Sequence, residues 1–370
     1  MRYLHIAGRV IVGLVFIFSG FVKAIDPLGS AYKFHDYFLA FNLAFLDWLA
    51  LPLAIILCTA EFIAGFSVLT GIRNKAGIWI VLLLMLIFTP LTFVLALTNP
   101  VSDCGCFGDA VHLTNWQTFG KNIVISALAL IVFSGRNKSK PLFSSVKELM
   151  LITSVAIVFV LFALFNLRYL PLIDFLPYKK GTFIAEKMIV PPGAPLDEYS
   201  TTFIYEKDGV RKEFTLENYP SNDSTWTFID QKSQLVKKGY VPPIHDFSIR
   251  TLEGNDITSQ ILSDSSYTLL MISKKLEGAS PANLEKGFNA GRLFIEKGYG
   301  FYTVTASGSD EIMRYSNGLN FCTADETTLK TIVRANPGYI LIENGVIIEK
   351  WSWANLPDNE NLQEIFDKQK

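Results

Sequence analysis

Cysteine is scarce in this chain, with four in 370 residues, at positions 58, 104, 106 and 322. That is too few for a fold stapled by disulfides. An excess of one charge is lacking as well: 33 Lys and Arg stand against 34 Asp and Glu, a net charge of −1. A chain so balanced has neither the basic footprint of a nucleic-acid binder nor an acidic tail. Apolar residues, by contrast, make up 50% of the chain, with a mean hydropathy of +0.31. Nearly all the excess lies before about residue 170, which separates a membrane half from an ordinary mixed polar half.

A membrane-crossing helix needs roughly 20 mostly apolar residues. Ile6 to Ala24, Leu49 to Thr70, Gly77 to Thr98, Trp116 to Ser134 and Leu149 to Leu167 meet that need. The fourth is interrupted by Lys121 and Asn122 and relies on Trp116 and Phe119 as interfacial anchors. The first resembles a secretory signal in length, but no convincing small-residue cleavage site follows it, so it is expected to be retained. Arg73 and Lys75 lie between spans two and three, and Arg136, Lys138, Lys140 and Lys147 between spans four and five. Basic loops stay on the cytoplasmic side. The amino terminus is therefore expected inside, with the loop after span three and everything after span five outside, as in a multi-pass protein of a bacterial inner membrane. Arg168, Lys179 and Lys180 break the charge pattern, but a long downstream domain crosses largely regardless of charge.

Between spans one and two, Tyr32, Phe34, Tyr37, Phe38, Phe41, Phe45 and Trp48 predict an amphipathic or re-entrant helix at the outer interface. It serves either as simple anchoring in membrane lipid or as a cleft for lipid or quinone. Glu61 lies near the middle of span two, where an unpaired carboxylate is costly. At about 1.5 Å per residue, Glu61 lies roughly 12 Å from the inner face, Arg9 roughly 5 Å, and Lys23 near the outer face. Depth therefore favours Arg9 as its partner. Two readings stay open: a structural Arg9–Glu61 ion pair, or Glu61 as a proton acceptor beside a redox carrier.

The loop after span three reads Ser102-Asp103-Cys104-Gly105-Cys106-Phe107-Gly108-Asp109. Cys104 and Cys106 are separated by a glycine, which permits tight backbone geometry. A disulfide across so small a ring is strained, and strained disulfides are oxidising and labile. Redox exchange needs an electron acceptor, for which a quinone near spans one to four is a candidate, and a base or cation to favour thiolate. His112 is the nearest imidazole. Asp103 and Asp109 would oppose thiolate formation if close. A static disulfide is the competing reading. A metal site is disfavoured because the spacing with Asp109 and His112 matches no common zinc pattern. Cys58 reads as a small apolar packing residue.

These residues carry a resemblance. Arg9-x3-Gly13-x5-Ser19-Gly20-x2-Lys23, followed by Glu61 and Gly65, resembles the DoxX-like membrane proteins, and the Asp-Cys-Gly-Cys-Phe-Gly string resembles their methylamine-utilisation MauE-like branch. It covers roughly residues 5 to 135. It implies a four-helix membrane domain of a class associated with quinone-linked sulfur oxidation or with maturation of disulfide-rich periplasmic partners. This chain adds a fifth span and a large external domain.

After the membrane half, Thr201 to Glu206 and Val210 to Leu216 flank Lys207-Asp208-Gly209 as a hairpin, with Thr225 to Asp230 as a third strand. Beyond Pro242-Pro243 the pattern alternates: strand Tyr267 to Ser273, a helix from Ser280-Pro281 to near Gly298, strand Phe301 to Ala306, helix Ser309 to Asn317, strand Asn320 to Thr323, helix Glu326 to Ala335. A hairpin of Tyr339 to Glu343 and Val346 to Trp351 around Asn344-Gly345 and a final helix complete it. That order, with Pro337 before the penultimate strand, resembles the thioredoxin-like fold of the TlpA and peroxiredoxin type over residues 240 to 370. The resemblance implies a cis Asn336-Pro337 bond. Where that family carries Cys-x-x-Cys, this chain has Ser273-Lys274-Lys275-Leu276. Cys322 is a lone cysteine in another element and reads as core.

The expected architecture is a membrane all-α helical bundle of four helices plus a fifth span, followed by a soluble α/β thioredoxin-like domain with a small β-rich region. The divisions fall at residues 1–140, 141–178, 179–239 and 240–370. Two functions fit: a thiol–disulfide oxidoreductase or maturation factor using Cys104 and Cys106, with the external domain binding a periplasmic client, or a non-enzymatic membrane-anchored scaffold whose thioredoxin-like domain is redox-inactive. Transport through the bundle is weak, since one central carboxylate gives little sign of a pathway.

Overall fold

The structure is a computed structural model describing residues 2–367 apart from 102, 138–141, 222, 238 and 317, and without the side chains of Arg2 and Asp367. Ser102, Lys138, Lys140 and Asn317, used above, lie outside the described residues.

The membrane half is built from α1 (Arg2–Ile25), α2 (Pro27–Ala40), α3 (Ala50–Thr70), α4 (Asn74–Thr98), α5 (Asn115–Ser134) and α6 (Ser145–Tyr169). All but α2 are long and apolar enough to cross a membrane, the second of them counted from Ala44 through a 3₁₀ turn. α2 carries the aromatic segment. Its start is fixed by Pro27 in the first turn and by the Asp26 carboxylate, which accepts from Gly29 N at 2.9 Å. α5 begins with a Thr114/Gln117 capping box, and the interruption at Lys121-Asn122 is used, since Asn122 Nδ2 donates to Thr92 Oγ1 on α4 at 3.1 Å.

α1 and α3 meet backbone to backbone through small residues, as helices in lipid do when no hydrophobic gain drives them together. A Cβ on Gly20 would lie 2.5 Å from Cys58 O and 2.7 Å from Phe62 N, and one on Gly65 would lie 2.6 Å from Ile17 N. This register corrects the expected pairing. Arg9 donates from Nε to Val68 O at 3.1 Å, a full turn or more beyond Glu61, while Glu61 faces Ser19 and Lys23. The depth count measures both helices from a common inner face. In fact α1 stops at Ile25 and the outer part of α3 is covered by α2, with Ala31 and Phe38 packed on Ala50 and Ala54, so Lys23 lies level with the middle of α3. Gly20→Val is expected to wedge these helices apart at a cost of about 1–3 kcal/mol, read as a lower unfolding temperature in detergent.

By packing, the chain forms two compact units, Thr182–Phe247 and the remainder, Met1–Gly181 with Ser248–Lys370. The smaller holds a one-turn helix α7 (Ile184–Lys187) and an antiparallel sheet of β1 (Glu198–Lys207), β2 (Val210–Thr215) and β3 (Thr227–Lys237) in the order β2-β1-β3. Asp208 and Gly209, both at positive φ, make the tight turn of the β1–β2 hairpin. Tyr205 packs edge-on against Phe214 and Phe228, and Phe214 against Trp226. β3 runs seven residues past the expected end at Asp230.

The larger unit continues with β4 (Arg250–Thr251), α8 (Thr258–Ser263), β5 (Thr268–Ser273), α9 (Pro281–Glu296), β6 (Gly300–Thr305), α10 (Ser309–Tyr315), β7 (Phe321–Thr323), α11 (Glu326–Ile332), β8 (Gly338–Glu343), β9 (Val346–Ser352) and α12 (Asn359–Asp367). The sheet order is β4-β7-β6-β5-β8-β9, with β5, β6 and β7 parallel and β8 and β9 antiparallel. With the cis Asn336-Pro337 bond leading into β8, this is the thioredoxin-like fold. β5 is buried along its whole length. α11 ends three residues before the expected Ala335 because the chain must be extended on approach to a proline. β4 and α8 went unread in the sequence, being two and six residues long.

Candidate functional site

The loop between α4 and α5 folds back over the end of α1. Gly105 takes φ +67, and a Cβ there would also lie 2.8 Å from Lys33 Cγ, so glycine is required between the cysteines. The two sulfurs are 3.2 Å apart, and both thiols are free. Each cysteine carbonyl is pinned: Tyr37 Oη donates to Cys104 O at 2.6 Å, and Lys23 Nζ donates to Cys106 O at 2.7 Å. Ser19 and Lys23 lie one turn apart on α1 and so share a face. Lys23 Nζ contacts Glu61 Oε2 at 2.7 Å, and both side chains are more than nine-tenths buried. Ser19 Oγ has two acceptors within reach of its single proton, Glu61 Oε2 at 2.9 Å and Cys106 O at 2.8 Å.

Both cysteines form part of the wall of a cavity of about 200 Å³ running between α1, α2, α4 and α5. Its polar wall includes Ser19, Lys23, Tyr37, Glu61, Lys121 and the cysteine loop, and Phe16, Phe34, Met85, Phe88 and Leu91 are among its apolar residues. An apolar cavity of about 150 Å³ takes a benzene-sized ring, so this one, of about 200 Å³, has room for a single substituted ring beside hydrogen-bonding side chains. Of the aromatic segment, Phe34 and Tyr37 line this cavity, whereas Phe45 and Trp48 are exposed.

The two thiols are unequal. A hydrogen bond from Cys104, followed by the charges of Lys121 and Lys23, outweighs burial and lowers Cys106 to about 6. The same hydrogen bond, with burial, pushes Cys104 well above the thiol range. Alkylation of Cys106 by iodoacetamide is expected to persist at pH values below the ordinary thiol range and to exceed that of Cys104, as mass spectrometry of pH-jumped samples would show. His112 is not the activating group. It is exposed and absent from the cavity wall, because the chain extends at Val111 toward the cap of α5. The cations come instead from Lys23 and Lys121, whose ammonium lies 4.4 Å from the Phe107 ring centroid. The opposition expected from Asp103 and Asp109 is removed by ion pairs to Lys33 at 3.0 Å and Arg334 at 2.6 Å. Among the described residues no group of three or more His, Cys, Asp or Glu gathers as a metal site.

Residues 1–135 match the family model of methylamine utilisation protein MauE. A second model, a domain of unknown function (DUF8463), matches residues 199–238. Among solved structures, the chain is similar to a candidate protein disulfide isomerase from Bacteroides thetaiotaomicron at 13% identity, covering 33% of this chain and 84% of that one, with a TM-score of 0.27. It is similar to a candidate thioredoxin from Neisseria meningitidis at 17% identity, covering 33% and 86%, with a TM-score of 0.27. No curated protein matches. The chain is a multi-pass membrane protein with a MauE-like domain.

The thioredoxin-like sheet presents its thiol-less loop to the MauE-like domain. Lys274 Nζ donates to Tyr32 Oη on α2 at 2.7 Å and to Arg334 O at 2.8 Å. Burial, then the Arg334 charge, lowers Lys274 to about 7. Arg334 bridges Asp26 and Asp109, each at 2.6 Å. Burial alone would lower its pKa, but the two carboxylates raise it. Asn336, beside the cis bond, accepts from Ser273 Oγ at 3.0 Å. The loop after β5 and the approach to β8 are thus committed to contacts with the MauE-like domain. Cys322 is buried in β7 and Cys58 in α3, apart from the cavity wall. Sequence reading missed Ser19, Tyr37, Lys121 and Arg334. Ser19 and Lys121 had a signal, being polar residues at helical spacing from Lys23 or alone in an apolar span; Arg334 had none.

Proposed function

We propose that the protein is a membrane thiol–disulfide oxidoreductase in which Cys104 and Cys106 alternate between dithiol and disulfide, taking electrons from a client and passing them to a quinone in the adjacent cavity. The observation that carries this reading is the placement of two sulfurs 3.2 Å apart on the wall of a ring-sized, largely apolar cavity. A client dithiolate attacks Cys104, because the lower-pKa Cys106 is the better leaving thiolate; the client's second thiol then closes its own disulfide and releases Cys104. Reoxidation joins Cys104 to Cys106 and sends two electrons and the two thiol protons away. A quinone supplies the acceptor for that pair of electrons and protons. Lys23, Glu61 and Ser19 hold the protons in transit, being hydrogen-bonded to one another and to Cys106 O. The thioredoxin-like domain supplies no thiol to this cycle.

The basic residues Arg73, Lys75, Arg136 and Lys147 lie in the loops or first helical turns at the ends of the spans opposite to the cysteine loop, which supports an inner-membrane orientation with the amino terminus cytoplasmic and the cysteines and carboxy-terminal domain periplasmic. That compartment is oxidising. The test is the redox state of the pair in membranes quenched in acid and then alkylated. The pair is expected to be oxidised in respiring cells and to become reduced when a respiratory inhibitor holds the quinone pool reduced. A pair that stays oxidised regardless of the pool makes the disulfide static and favours a scaffold.

A further inference from the structure

A second cavity, of about 610 Å³, opens where the end of α6 meets the thioredoxin-like domain. It is lined by three cations, Arg168, Lys274 and Arg334, and by no carboxylate. Arg334 is balanced by Asp26 and Asp109, but among the described residues neither Arg168 nor Lys274 forms an ion pair, and Lys274 feels Asp26 and Glu326 only at longer range. Arg168 lies beside two aromatic rings, its guanidinium 5.4 Å from the Trp353 ring centroid and 5.6 Å from that of Tyr169. Lys274 has three ammonium protons, two of them committed to Tyr32 Oη and Arg334 O. Arg168 is exposed and Lys274 buried where both line the cavity, and burial disfavours the Lys274 ammonium unless an anion lies beside it. The remaining wall says which kind of anion. Leu28, Leu164 and Leu167 form its other side, and below Arg168 the exposed residues Ile157, Leu161 and Leu164 run down one face of α6.

We propose that this cavity binds the phosphate of an anionic phospholipid between Arg168 and Lys274, with its acyl chains lying along the outer face of α6. The phosphate supplies the missing counter-charge, and its oxygens accept from the guanidinium fork and the third ammonium proton. The leucines cover the glycerol and upper chains. The bound lipid joins span five to the thioredoxin-like domain through charges that would otherwise repel.

The full chain, purified in mild detergent and exchanged through phosphatidylcholine, is expected to retain phosphatidylglycerol by lipid mass spectrometry and to be stabilised against heat by phosphatidylglycerol but not by phosphatidylcholine. Arg168→Gln, an exposed and structurally safe change, is expected to lower phosphatidylglycerol affinity about tenfold. Lys274→Met should do the same, whereas Arg168→Lys keeps most of the binding. Retention that is equal in wild type, Arg168→Gln and Lys274→Met overturns the proposal, as does failure of the wild type to retain the lipid. Stabilisation by inorganic phosphate alone, without retained lipid, assigns these cations to a free anion and overturns the lipid assignment.

Discussion

Cys106→Ser is expected to lower quinone-dependent oxidation of a dithiol by about a thousandfold or more, because a hydroxyl cannot close the bond that carries the electrons. The assay is bleaching of a short-chain ubiquinone by dithiothreitol with the purified full chain. The partner variant Cys104→Ser should be as inactive. They differ in what they trap. Cys106→Ser leaves Cys104 able to attack an oxidised client and hold it as a mixed disulfide that its former neighbour can no longer release, whereas in Cys104→Ser the remaining thiol faces the Lys23 and Lys121 cations of the cavity. Full host function in the double variant, with no mixed disulfide on any periplasmic protein from the Cys106→Ser strain, would abolish the redox reading.

The second large effect lies at Lys23 and Glu61. Removing either partner strands the other charge in a site more than nine-tenths buried, for which about 3–5 kcal/mol of stability is the expected loss. Lys23→Met also removes the donor that pins Cys106 O at 2.7 Å. The double variant Lys23→Met/Glu61→Leu is expected to recover most of that stability, since two apolar residues replace a pair whose desolvation was costly. It should not recover quinone reduction if the pair carries protons. Thermal unfolding and turnover of the three variants separate the two roles: equal recovery of both in the double variant would make the pair purely structural.

Much of this architecture is written in local pattern. Five apolar runs, an Asp-Gly hairpin and the alternation after Pro243 specify elements whose signals lie within a few residues of one another. The cysteine pair was legible for the same reason, as a motif complete in three positions. Pairings across the bundle were not. Lys23 and Glu61 are 38 positions apart, and their meeting depends on how far α1 slides along α3, which Gly20 and Gly65 settle by close approach to particular backbone atoms. Counting residues from a shared membrane face cannot recover that slide. Arg334 was further out of reach, since nothing near Ala335 indicates that a carboxylate more than 300 residues earlier awaits it.

That last pairing has a consequence for synthesis. Asp26 and Asp109 flank the dithiol loop and its supporting helix, yet the cation that balances both is supplied by residue 334. A chain emerging from the ribosome inserts α1 to α5 long before that residue is made. During the interval the two carboxylates lack that counter-charge. Closure of those two ion pairs is therefore a late event, possible only once residue 334 has been made.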